Sequence, residues 1–149
     1  MKSKPIVMKN EIRRLVIDVN IWVKWAANKR IGIWLETFGE FGIELFGSNS
    51  LIEELNDVLS RPFFQKISSD HVDTKIIIQE LNEVLSHIKN ENLIFNCPDP
   101  DDEYLIEIAW KSNAILVTND KALLDWKESP IEIISLDNLR SFMNNLLIK

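Results

Sequence analysis

Arg14-Leu15-Val16-Ile17-Asp18-Val19-Asn20 is a short apolar run closed by a carboxylate and an amide. It reads as a buried strand that hands the chain to a helix. Ile115-Leu116-Val117-Thr118-Asn119-Asp120 repeats the theme, and Glu54 and Asp102 fall in the first turns of helical patterns. In a parallel α/β sheet, strand ends of this kind meet at one edge, where ligands bind. Asp18, Glu54, Asp102 and Asp120 are therefore expected to share one acidic, metal-binding pocket.

Working outward, residues 1–13 read as a polar lead-in and 14–149 as a single domain. From Asn20, apolar residues keep helical spacing through Ile21, Trp22, Trp25, Ile33, Trp34 and Phe38, with a break near Asn28 to Gly32. A second strand follows Gly42. Ser48, Asn49 or Ser50 caps a helix limited by Pro62, and Ser68 to Lys89 is the longest helical stretch. Leu93-Ile94-Phe95 reads as a third strand. Pro98 and Pro100 turn the chain into an acid-rich helix start at Asp99 to Glu103. Ala114 to Thr118 is a fourth strand, Lys121 to Trp126 a short helix, Ile131 to Ile134 a fifth strand and Asn138 to Leu147 a closing helix. This alternation predicts a three-layer α/β/α fold with a mostly parallel sheet of about five strands.

Composition narrows the function. The 149 residues, 46% hydrophobic, suffice for one core, and no apolar run approaches the roughly 20 residues that cross a bilayer. A soluble, cytoplasmic protein is expected, and a single cysteine, Cys97, suits a reducing compartment. The net charge of −6 argues against a non-specific duplex coater, which draws its affinity from surplus Lys and Arg. Five Trp and seven Phe suit core packing or a partner surface, including that of a homodimer.

Each acid taken singly also suits a turn or a cap, and periodicity does not choose between Glu53 and Glu54. Oxygen-bearing side chains past a strand favour Mg²⁺ or Mn²⁺. Arg13, Arg14, Lys24, Lys29, Arg30, Arg61 and Lys66 are candidates for phosphate contact near that edge, and Trp22 or Trp25 for stacking on a base, although surface charge and core packing explain them as well. His71, His87 and Cys97 fall outside every motif and receive no catalytic role.

Four segments in order resemble the PIN-domain family, in particular its toxin components of toxin-antitoxin systems. They are Asp18-Val19-Asn20; Ser48 with Glu54 and Leu59-Ser60-Arg61-Pro62; Asp99-Pro100-Asp101-Asp102 with Ala109; and Leu116-Val117-Thr118-Asn119-Asp120. The resemblance selects Glu54 over Glu53. It implies a Mg²⁺- or Mn²⁺-dependent ribonuclease, with Asp18, Glu54, Asp102 and Asp120 as catalytic and metal-site residues, Asn20 and Thr118 as polar support, RNA as substrate and a small antitoxin as partner. Val19 stands where the family usually has Thr, which removes a hydroxyl from the first motif. The alternative is a weakly active or inactive PIN domain serving as an RNA- or protein-binding module. A receiver-like phosphoacceptor domain also places acids at strand ends, but no strand-end Lys matches it and Asp99 to Asp102 has no role there.

Overall fold

The computed structural model describes residues 13–62, 64 and 73–148. Most of the lead-in, Lys66, His71 and the start of the Ser68–Lys89 stretch lie outside the described residues. The sheet has five strands: β1 (Arg14–Ile17), β2 (Glu44–Gly47), β3 (Ser86–His87), β4 (Ile115–Val117) and β5 (Ile133–Ile134). Their order is β3-β2-β1-β4-β5, and every pair is parallel. Seven α-helices accompany it among the described residues: α1 (Val19–Ala27), α2 (Ile31–Glu40), α3 (Asn49–Leu59), α4 (Thr74–Val84), α5 (Glu103–Ser112), α6 (Lys121–Leu124) and α7 (Leu136–Ile148).

β1 is the central strand, and its Leu15, Val16 and Ile17 are fully buried, as a parallel sheet covered on both faces demands. The chain steps from β1 to β2 to β3 in one direction, then crosses back to β4 and β5. Because parallel crossovers are right-handed, the first set of connections, α1 to α4, lies on one face, and α5 and α6 lie on the other. α5 packs against β1, β2 and β4. Trp22, Trp25 and Phe38 are buried in the helical layer, with Trp22 edge-on to Trp25 at 5.4 Å and Trp25 stacked on Trp34 at 4.6 Å. Trp22 and Trp25 are therefore core residues, closed to a nucleic-acid base.

Two expectations need correcting. The long helix stops at Val84 rather than Lys89: Leu85 turns extended, and Ser86 and His87 join the sheet beside Phe46 and Gly47. Gly47 makes room for this, since a Cβ there would meet Leu85 Cδ1 at 2.7 Å. Ser86 Oγ also donates to Glu44 Oε2 at 2.7 Å. An apolar helical pattern thus conceals the third strand, which is too short to show its own period.

The second correction concerns Leu93-Ile94-Phe95, which belongs to no strand. Its amides are taken by side chains of α5. Leu93 N–H donates to Glu107 Oε1 at 3.4 Å and Phe95 N–H to Glu103 Oε1 at 2.9 Å. Glu107 is fully buried and also accepts from Glu91 N–H at 2.7 Å, Asn90 Nδ2 at 3.1 Å and Lys111 Nζ at 2.9 Å. Burial raises the Glu107 pKa, but these donors outweigh it and hold the carboxyl below its ordinary value.

Because its folded pKa is lowered, Glu107 contributes stability above the ordinary carboxylate range, and that contribution is lost as pH falls through the folded value. Glu107→Ala should cost about 3 kcal/mol in urea unfolding at pH 7, since it leaves buried donors unpaired, and the deficit should shrink on acidification below about pH 4.

Candidate functional site

The chain lays β2 and β3 on one side of β1 and β4 and β5 on the other, and this switch in strand order opens a crevice at the carboxyl ends of the parallel β1 and β4, the position where doubly wound sheets bind ligands. Asp18 and Thr118 follow the paired residues Ile17 and Val117, so the register brings the first and fourth motifs side by side. Asp18 caps α1, and its backbone N–H donates to Val117 O at 3.0 Å. Asp18 is 7% exposed, and its carboxylate has two donors: Thr118 Oγ1 to Oδ2 at 2.6 Å and Asn20 N–H to Oδ1 at 3.4 Å. Thr118 Oγ1 accepts in turn from Asp120 N–H at 3.0 Å, and Asp120 caps α6 through Ala122 N–H. One hydroxyl thus ties both motifs together.

Asp102 ends a 3₁₀ turn (Pro100–Asp102) that leads into α5, and Asp99 caps that turn. Glu54 lies exposed on α3, which Ser48, of the three candidates, caps through Leu51 N–H at 3.2 Å. Asp18, Glu54 and Asp102 line one cleft of about 570 Å³, together with Asn20, Glu53, Asp57, Asp101 and Tyr104. Asp120 is not on its wall, yet its charge acts on both Asp18 and Asp102.

The electrostatics reflect this crowding. Burial, with a contribution from Asp120, raises the Asp18 pKa against the opposing bonds from Thr118 and Asn20. Burial and then the charges of Asp18, Asp99 and Asp120 push Asp102 up to about 7. Tyr104 is raised as well, by burial and by Asp18, Glu54 and Asp102, so its phenol is neutral at physiological pH. Tyr104 appears in no motif. Its only signal is its place two residues past Asp102, at the start of the apolar face of α5.

The donor set is all oxygen and lacks a balancing cation on the cleft wall, which fits a hard divalent ion. The acids are neighbours rather than a closed cage. Among the described residues, no three acidic, His or Cys side chains are gathered tightly enough to hold one ion as they stand. Like charges resist closer approach. Two of the cationic candidates lie elsewhere: Arg13 and Arg14 are at the opposite end of β1, where Arg14 Nη1 donates to Ser112 O at 2.9 Å. Arg61 pairs with Asp57 at 2.8 Å.

Residues 14–122, well over half of the chain, match the family profile described as "PIN domain". The chain belongs to the PIN-domain family. An uncharacterized protein of Methanocaldococcus jannaschii, MJ1680, is 30% identical to this PIN domain over 118 residues, which span 77% of this chain and 76% of its own. The crystal structure of PAE2754 from Pyrobaculum aerophilum shares the fold, with a TM-score of 0.57 and 15% identity over 93% of this chain and 92% of that one. PIN domains are typically nucleases that bind divalent metal.

A carboxyl with a raised folded pKa favours the folded state below its unfolded pKa of about 3.8, and this advantage is lost as pH rises through about 7. Asp102→Asn should therefore stabilise the protein relative to wild type at pH 8, by on the order of 1 kcal/mol after solvent screening. The gain should vanish near pH 4, as read from melting temperatures at the two pH values.

Proposed function

We propose that this PIN domain is a Mg²⁺- or Mn²⁺-dependent endoribonuclease that hydrolyses RNA phosphodiester bonds in the cleft of Asp18, Glu54 and Asp102. The observation that carries this reading is the convergence of three sequence-distant motifs on one cleft, with the fourth bonded to the first through Thr118.

Asp18 is the buried anchor of the ion site, Asp102 and Asp120 are its partners, and Glu54, on the exposed side, ligates or orients the attacking water. A divalent ion held by these carboxylates would lower the pKa of that water and offset charge on the phosphate. Thr118 donates to Oδ2 of Asp18 and so holds the orientation of its carboxylate. Asn20 donates its backbone N–H to the other oxygen, and this exposed residue lines the cleft. Val19 is buried, and the two donors from Thr118 and Asn20 order Asp18 without a hydroxyl at position 19, which favours an enzyme over an inactive module.

By its family resemblance the protein acts as the toxin of a toxin-antitoxin pair in the cytoplasm, restrained by a small antitoxin. No helix among the described residues is long and apolar enough to cross a membrane.

Purified protein should cut RNA with Mg²⁺ or Mn²⁺ and stop in EDTA. Asp18→Asn and Asp102→Asn should each lower the rate by about a hundredfold or more. Mn²⁺ should raise the melting temperature of the wild type, as a ligand of the folded state does, and leave that of Asp18→Asn unchanged. Cutting that persists in EDTA or in both variants would refute the assignment.

A further inference from the structure

The acidic cleft has six carboxylates and no cation among its lining residues, so it offers little to draw in a polyanion. A second groove, of about 680 Å³, has the opposite character. Lys24, Arg30 and Arg140 line it, no acid does, and its apolar part comes from Ile33, Trp34 and Met143 over the buried Trp25. In a chain of net charge −6, this is a marked segregation of charge. Lys24 and Arg30 are exposed and have no ion-pair partner among the described residues. Arg140 has only a loose contact of 3.8 Å with Asp137, itself 92% exposed.

The two sites are joined along α1. Asn20, Lys24 and Asn28 are the exposed residues of one helical stripe, four apart. Asn20 lines the acidic cleft, while Lys24 and Asn28 line the groove. At a rise of about 1.5 Å per residue, the groove begins roughly 6 Å along the helix from the cleft.

We propose that this groove holds a single-stranded segment of RNA flanking the bond in the cleft. Lys24, Arg30 and Arg140 contact its phosphates, and the half-buried Trp34 indole with Ile33 receives a base. Cations along an aromatic floor are the usual means of holding unpaired strands, and the α1 stripe gives a strand a direct path between the two sites. That continuity favours RNA over an acidic peptide. The proposal rests on the ribonuclease reading for the strand's direction but not for its binding.

The test is fluorescence anisotropy of a labelled single-stranded RNA with the full chain in EDTA, where no cutting complicates the result. The variant Lys24→Glu/Arg30→Glu/Arg140→Glu changes exposed positions only and should melt like wild type. Its affinity should fall at least about tenfold, and the salt dependence of log K should flatten by about 2, at roughly 0.7 for each phosphate that the protein no longer neutralises. Trp34→Ala should weaken binding and leave the salt slope unchanged. This pattern supports the groove even if the protein cuts nothing. Unaltered affinity and salt slope in the triple variant, no binding of RNA by wild type, or preference for duplex RNA or for a poly-glutamate peptide would each overturn it, even if cutting is confirmed.

Discussion

The hydrogen bond from Thr118 Oγ1 to Asp18 Oδ2 joins residues 100 positions apart and lies where β1 and β4 end together. A carboxylate placed at the buried end of a central strand is costly unless donors meet it, and here a fully buried hydroxyl and one amide do so. The same hydroxyl receives the Asp120 amide, so moving either strand end would disturb both motifs. The parallel register places the two residues for this contact, and the contact in turn links the residues that cap α1 and α6.

The rest of the cleft is less tightly held. Asp102 reaches it from a 3₁₀ turn and Glu54 from the exposed side of α3. A site with one rigid anchor and two adjustable acids suits chemistry in which charge enters and leaves, because the buried member keeps its place while the others respond. The raised pKa of Asp102 expresses the same strain as a tendency to keep a proton.

Much of this was legible in the sequence, for reasons that differ by element. β1 and β4 are continuous apolar runs ending in polar residues, and a strand buried on both faces has no other signature. Helix starts were marked by Ser48, Asp99 and Asp120, which the structure uses as caps. β3 was hidden because two residues cannot display a period, and its pairing depends on Gly47 admitting Leu85. Leu93 to Phe95 misled because its amides are satisfied by side chains, which a backbone pattern does not reveal. Within the site, Thr118 was readable as support, but Tyr104 was not, since an aromatic residue on a helix face looks the same whether it meets the core or a cleft. The exposed stripe Asn20-Lys24-Asn28 went unread beside the apolar spacing of α1, and the groove it enters depends on the approach of α7 to α1 and α2, which no local pattern reveals.

Glu103 and Glu107 have a consequence beyond satisfying a loop. They stand four residues apart on α5, a separation of about 6 Å, while the amides of Leu93 and Phe95 stand two apart on extended chain, about 6.6 Å. Helix and strand repeats thus match over this stretch like two scales brought into coincidence, with the chain running antiparallel to the helix. A slip of one residue would turn both amides away and leave a buried carboxylate facing side chains. The loop is therefore indexed to α5, the helix that Asp102 immediately precedes and that packing on β1, β2 and β4 holds in place.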